Sequence, residues 1–287
     1  MQLLPIDSIS GISKKDFTEQ YVKTGTPVII KDFLKDSPAL QLWNYDYFKE
    51  QAGDLIVSVH GHENAHPDKV VSQAAKKMKF SEYLDYIQAG PTEARLFLFN
   101  LLTERPEFKK QLVINRVTNN ILSSLPFMFF GGEGSSTRYH FDIDISHVFL
   151  SQFEGAKKVW LFPPEQSDLL YKLPYNFHGI ADLRNPDYEK FPALKYLQGW
   201  ECTLHFGDTL FMPAHFWHYI QYETQGYSVS HRALSDSYIQ RLQGARNLFI
   251  TRRFDNLMRI WRKDKWFNYK KQVAISRAEK AIKKLEH

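Results

Sequence analysis

Three residues limit what this chain can become more than any others: His140, Asp142 and His218. The first two form a His-x-Asp pair inside "TRYHFDIDISHVFLSQFEGAKKVWLFPP", and the third lies far downstream in "GDTLFMPAHFWHYIQY". Both stretches read as strands, with β-branched and aromatic residues punctuated by glycine and proline turn signals. On a strand, residues two apart point to the same face. His140 and Asp142 would therefore look inward together while Phe141 turns into the other layer. Downstream, Gly207-Asp208 supplies a turn, "TLFMP" a strand, and Pro213 a rigid step that delivers His218 to the same rim. The expected product is a small barrel with these three side chains at its mouth.

Two imidazoles and one carboxylate on one ion form a facial triad, which leaves adjacent coordination positions open for substrates and oxygen. That donor set suits Fe(II), whereas a structural zinc site would recruit thiolates and close all four positions. A His-x-Asp pair alone is common; the Gly-Asp strand delivering a histidine gives the set its specificity. A rival cluster, His60, His62 and His66 in "VHGHENAH", could hold zinc. It has no cysteine, and Gly61, Asn64 and Pro67 make it a polar loop at the pocket rim. His147, His205, His215 and His231 are ambiguous. His215 reads as a rim residue, with orienting a ligand imidazole as the second reading.

Along the chain, "KKDFTEQYVKTG" has helical spacing ended by Gly25, and "TPVIIKDF" is a buried strand. "SPALQLWNYDYFKEQAG" reads as one helix with Ser37 as N-cap, Pro38 at its first position and Gly53 as its stop. "LIVSVHG" is a strand. "KFSEYLDYIQAG" is a helix opened by Ser81 and Glu82, and "ARLFLFNLL" is a further strand candidate. From "LPFMFFGG" onward, short strands at turn-punctuated spacing suggest a jelly-roll. After "GYSVSHRAL" come two or three helices, in which Tyr238, Leu242, Ala245 and Phe249 share a face, as do Phe254, Leu257, Met258 and Trp261. Self-association or packing on the barrel wall would each cover such stripes. The expected division is 1–125, an α/β elaboration; 126–235, the β core; and 236–287, a basic helical segment.

The chain has 287 residues, 43% hydrophobic and 15% aromatic, enough for a sizeable core. Its mean hydropathy of −0.42 and short apolar runs exclude membrane-spanning helices, which need about 20 apolar residues. The N-terminus has no basic region followed by an apolar run, so no secretory signal is expected. A single cysteine, Cys202, rules out an intrachain disulfide and fits a reducing compartment, with the cytoplasm as default. The net charge of +5 hides an asymmetry. Residues 232–287 carry 15 Lys/Arg against 5 Asp/Glu, so the rest is net acidic. A basic tail attracts nucleic acid or an acidic protein, although a solvated helical face is the plainer reading.

The stretch 126–232 resembles the jumonji-C branch of the Fe(II)/2-oxoglutarate-dependent oxygenases. It is closest in style to the cupin-like hydroxylases typified by the asparaginyl hydroxylase that inhibits hypoxia-inducible factor. "YVKTGTPVIIKDF" and "WNYDYFKEQAGD" resemble the segment preceding the barrel in that group, and the tail resembles its dimerising helices more loosely. The resemblance implies a double-stranded β-helix core, Fe(II) with 2-oxoglutarate and O2 as cosubstrates, and metal ligation by His140, Asp142 and His218. It further implies that Thr137 hydrogen-bonds 2-oxoglutarate and that Lys157 pairs with its distal carboxylate. Adjacent strand residues point oppositely, so Lys157 and Lys158 cannot both serve.

Two departures stand out. The interval from His140 to Gly155 is longer than the family pattern by two residues, which predicts a bulge near "DIDIS" and makes Asp144 a rival to Asp142. Arg232, in "SVSHR", stands where the family often has asparagine, and is expected either to support the cosubstrate or to form a salt bridge. The reaction expected is C–H hydroxylation of a protein or peptide side chain, with RNA as the second substrate class. Histone-type demethylation is disfavoured, since one cysteine allows no chromatin-reading zinc module. Two other readings remain open. One is a non-catalytic or zinc-dependent cupin-like binding protein or isomerase. The other is a barrel that merely scaffolds the basic helices.

Overall fold

Two β-sheets face each other, and side-chain alternation along their strands decides what lies between them. The computed structural model describes residues 1–61, 68, 74, 76–97, 99–122 and 126–286. Within these, one sheet has nine strands in the order Ser8–Ile9, Val28–Ile30, Thr209–Met212, His147–Glu154, Gly226–Ala233, Phe127–Gly131, Arg95–Leu96, Ile56–His60 and Lys76–Lys79. The other has four, in the order Gln2–Pro5, Gln198–Leu204, Lys157–Phe162 and Trp217–Tyr222. The chain is mainly β with helical additions, built on a jelly-roll core.

Between the sheets lie Val148, Leu150, Val159, Leu161, Leu204, Leu210 and Met212. Their sequence neighbours point the other way. Phe149, Phe153, Phe211, Tyr227 and Val229 join Phe17, Phe33, Phe48, Phe80 and Phe108 in an aromatic layer between the large sheet and the N-terminal helices. Hence seven of the eight residues of His147–Glu154 are buried: both faces of that strand are covered. The small sheet is covered on its outer side by Phe162, Trp217 and Tyr219 with Leu169, Leu170 and Leu194 from the long connection, and by Ala278 of the last helix.

Several local expectations meet a different outcome. The single helix expected over "SPALQLWNYDYFKEQAG" is two, Ala39–Leu42 and Tyr45–Ala52. Asn44 caps the second by accepting from the Tyr47 amide at 2.8 Å, which outcompetes continuation through Trp43. Ser37 is no cap: its hydroxyl donates to the Gln111 carbonyl at 3.0 Å and accepts from Val113 N. Among the described residues of "ARLFLFNLL", only Arg95–Leu96 are strand, and the chain turns helical at Leu101–Glu104. The helix begun at Lys14–Phe17 widens into a π turn over Thr18–Val22. Helix Phe80–Gln88 starts one residue earlier than Ser81, with the Lys79 amide donating to Glu82.

The tail forms Tyr238–Arg246, a π turn Asn247–Thr251, and Arg252–Leu285, the last broken at Lys263 (φ 46°, ψ −127°). Its two arms are joined through a buried ionic cluster. Lys270 donates to Asp255 at 2.7 Å and to Asp68, while Trp266 Nε1 donates to Asp255 at 2.8 Å. Breaking one partner of such a buried set costs about 3–5 kcal/mol, because it strands the other charge. The second arm seats Ala274 and Ala278 inward.

Two buried histidines sit in the aromatic layer away from the triad. Burial holds His147 down at about 4, and burial followed by Arg116 holds His231 at about 4. An unfolded histidine titrates near 6.5. The folded-state values are depressed, so the stabilisation from burying neutral rings is complete above pH ~6.5 and is lost as pH falls towards 4, on the order of 3 kcal/mol per ring. Urea unfolding midpoints should therefore fall between pH 7 and pH 5. His231 packs edge-on against Phe33, and its Nδ1 has no hydrogen-bond partner among the described residues. His231→Phe should flatten the fall; an unchanged pH slope would contradict the account.

Candidate metal centre

The two histidines are joined through the backbone. His140 N donates to His218 O at 3.1 Å and His218 N donates to His140 O at 2.8 Å. This reciprocal pair sets the ring centroids 4.3 Å apart. With Asp142, one ligand atom from each of the three residues lies within 4.8 Å of the others. His140 pairs across to His218 through an isolated bridge, and Asp142 follows at the start of a turn outside any strand. The two residues still converge, as the His-x-Asp spacing predicts.

Each imidazole has its tautomer set. The Nδ1–H of His140 donates to the Arg138 carbonyl at 2.7 Å, and that of His218 to the Phe216 carbonyl at 3.3 Å. Nε2 is then the lone-pair nitrogen on both rings, the form a metal requires. Burial, then the neighbouring His218, pushes His140 down to about 3, and burial also lowers His218. Both rings are neutral at physiological pH. Asp142 behaves differently: burial alone would raise it, but Arg232, His218 and His140 together hold it below the usual carboxylate range. Its Oδ1 accepts from Arg232 at 3.0 Å, and among the described residues Oδ2 takes no hydrogen bond. Two neutral imidazoles and one ionised carboxylate fit a divalent cation with positions to spare. Asp144 is instead engaged by Arg232 at 2.8 Å and stands outside the cluster.

Lys157 and Thr137 lie further along the same interior. Val159 and Leu161 point between the sheets, so alternation sends Lys157 inward as well, and Lys158 outward to Glu201 at 3.2 Å. Lys157 is 2% exposed; its ammonium donates to the Ser228 hydroxyl and lies 4.2 Å from the Tyr222 ring centroid. Among the described residues it has no carboxylate partner, and burial pushes its pKa well down. Thr137 N donates to Ile220 O, while its buried hydroxyl Oγ1 has no hydrogen-bond partner among the described residues. A buried cation without an anion and an orphaned hydroxyl both fit an absent acidic ligand.

His218, Ile220 and Tyr222 share the inward face of Trp217–Tyr222, so about 13 Å of strand separates the metal end from the lysine end. Lysine's long side chain shortens that gap. Sequence reasoning passed over Tyr222 and Ser228, although two-residue steps from His218 and from Arg232 lead to them. Arg95 was also missed: it is buried and donates to the Ser136 carbonyl at 2.5 Å. His215 stacks edge-on with Phe141 at 4.6 Å and holds a left-handed backbone (φ 69°). His60 closes its strand beside Phe97, whereas His62 and His66 lie outside the described residues.

A model of the cupin-like domain matches residues 14–238. The chain belongs to this jumonji-C family. It is 30% identical over 243 residues to lysine-specific demethylase JMJ30 of Arabidopsis thaliana, covering 78% of this chain and 54% of that protein. JmjC domain-containing protein D of Dictyostelium discoideum is 26% identical, covering 76% and 53%. The tRNA wybutosine-synthesizing protein 5 of Gallus gallus is 24% identical, covering 78% and 76%. The chain thus spans about half the length of the first two relatives. No helix among the described residues is long and apolar enough to cross a membrane.

The arrangement predicts one divalent ion per chain. Titration with Co(II), followed by its visible absorption, should give one tight site in the wild type and none in His140→Ala or His218→Ala. Asp144→Asn should retain it. Loss of the site in Asp144→Asn with retention in Asp142→Asn would reverse the assignment.

Proposed function

We propose that this protein is an Fe(II)- and 2-oxoglutarate-dependent dioxygenase that hydroxylates a C–H bond, with a protein or peptide side chain as its substrate. The observation that carries the reading is the joint presence, in one interior, of the converging His140, Asp142 and His218 and a buried Lys157 ammonium with no carboxylate partner among the described residues. Iron, when bound, supplies the redox chemistry that couples oxidative decarboxylation of 2-oxoglutarate to substrate oxidation by O2. The chain's own residues hold and orient. His140, Asp142 and His218 would hold the ion, and three protein donors are fewer than such an ion accepts. Lys157 and the Thr137 hydroxyl would receive the far carboxylate, replacing that group's lost hydration with a charge-assisted pair. The apolar layers on both sides of the sandwich would keep water from the Lys157 end of the interior.

Relatives named as lysine demethylases are consistent with this chemistry, since removing an N-methyl group begins with hydroxylation of its C–H bond. RNA is the second reading. It is supported by exposed Arg277, Lys280, Lys283 and Lys284 on the last helix and by coverage of most of the wybutosine-synthesizing relative. Salt-dependent RNA binding lost on neutralising those lysines would favour it. The single cysteine supports a cytoplasmic setting.

Purified protein with Fe(II), ascorbate and 2-oxoglutarate should release succinate, and His140→Ala should abolish the release. A zinc-loaded chain with no affinity for 2-oxoglutarate would instead favour the isomerase or binding-protein reading. Lys157→Met should keep the metal and lose at least tenfold in 2-oxoglutarate affinity. Because burial depresses the Lys157 pKa, that affinity should weaken as pH rises, beginning below the range of an ordinary lysine. A pH-independent affinity would contradict the role given to Lys157.

Self-association through the tail belongs to the same reading. Tyr238, Ile239, Leu242, Phe249, Ile250, Leu257, Ile260 and Trp261 are each 62–78% exposed. At roughly 100 Å² or more apiece they amount to about 800–1,000 Å², the contribution of one partner to a stable interface. Exposed Arg252, Arg253 and Arg262 lie among them and would repel across a two-fold. Light scattering should therefore report a dimer that tightens with salt and dissociates in Leu257→Glu/Trp261→Glu. A wild-type monomer at all salt concentrations would remove this part.

A further inference from the structure

The turn that carries Asp142 is under backbone strain, and residues outside the triad brace it from two sides. Ile145 is β-branched, 2% exposed and left-handed (φ 52°), with its amide donating to the Asp142 carbonyl at 3.0 Å. Such a conformation persists only where its surroundings over-determine it. From the barrel side, Arg232 spans the whole turn: Nη2 donates to Asp142 Oδ1 at 3.0 Å, and Nη1 to Asp144 Oδ1 at 2.8 Å and Ser146 Oγ at 2.9 Å. From the other side comes the first tail helix. Gly244 lies so close that a Cβ there would sit 2.2 Å from the Asp144 carbonyl oxygen. Asn247, buried at the start of the π turn, donates its side-chain amide to the Ile143 carbonyl at 3.2 Å.

We propose that Arg232, Asn247 and Gly244 are positioning residues that lock the Asp142 carboxylate in its metal-binding orientation, making the tail helix part of the metal centre. Arg232 occupies one carboxylate oxygen and so presents the other, while its second nitrogen withdraws Asp144 from competition. The planar fork is essential to this task. It reaches two carboxylates and a hydroxyl at once, which a lysine's single ammonium cannot do. Gly244 admits the helix to contact distance, and Asn247 satisfies the carbonyl between the two aspartates. The segment from Asp142 to Ser146 is therefore a braced turn that needs the tail for its second wall.

This inference rests on the triad being a metal site, and its test separates the two. The full chain is titrated with Co(II), reading the dissociation constant by chelator competition and the ligand field from the visible spectrum; metal-free thermal unfolding is measured alongside. Arg232→Lys keeps the charge, so any change in affinity reports geometry. Affinity should fall 10- to 100-fold with an altered spectrum, as for other partners that orient ligands. Asn247→Ala and Gly244→Ala should shift both readouts the same way. Wild-type affinity and spectrum in Arg232→Lys and Asn247→Ala, whatever their thermal stability, would overturn the inference and leave the triad standing. Should Arg232→Lys fail to fold, Asn247→Ala decides by the same criterion. A wild type without His140-dependent Co(II) binding overturns the metal reading and this inference together.

Discussion

The reciprocal hydrogen bonds between the backbones of His140 and His218 are the constraint on which the site depends. They tie a segment that is barely regular to a strand of the small sheet and fix the two imidazoles side by side. Strand alternation then does the rest. From His218, two-residue steps reach Ile220 and Tyr222; from Arg232, they reach Ser230 and Ser228; and Lys157 faces inward with Val159 and Leu161. A line of polar side chains is thus threaded through a sandwich whose inward apolar cluster is mostly aliphatic, with Phe216 and Trp200 at its margin.

Such a channel is costly for the fold, and the structure shows how the cost is contained. A buried ammonium at Lys157 leans on a hydroxyl and an aromatic face, which lessen the penalty without supplying an opposite charge. The triad is kept uncharged at both rings, with Asp142 balanced by Arg232. Thick aromatic and aliphatic layers outside both sheets provide the burial that offsets these groups. An acidic ligand at Lys157 and a cation at the triad would each complete an interaction that these side chains leave half made.

The most legible parts of the sequence were those governed by short periodicities. The jelly-roll class follows from turn punctuation, and two-residue alternation sends Lys157 and Lys158 opposite ways, with the family resemblance choosing Lys157. His140 and Asp142 do meet His218, but through a turn and not along a strand. What stayed hidden depends on partners far away in sequence. Ser37 has a helix-cap composition, yet its hydroxyl is claimed by Gln111 and Val113. "ARLFLFNLL" has strand composition but leaves the sheet after Leu96. The bulge expected near "DIDIS" is not what forms: the segment lies outside the strands, as a turn with a left-handed Ile145, and its bracing by Gly244 and Asn247 could not be seen from spacing. Arg232 stands out in the sequence as a departure, but its bridging of Asp142 and Asp144 depends on the turn.

The most direct measurement is a crystal structure of the chain grown without oxygen in Mn(II) and 2-oxoglutarate. The account predicts one ion on both Nε2 atoms and Asp142, chelated by the keto-acid end, with the far carboxylate on Lys157 and the Thr137 hydroxyl. An ion bound elsewhere, or an acid whose far carboxylate lies on Arg232 while Lys157 stays bonded to Ser228 alone, would contradict it.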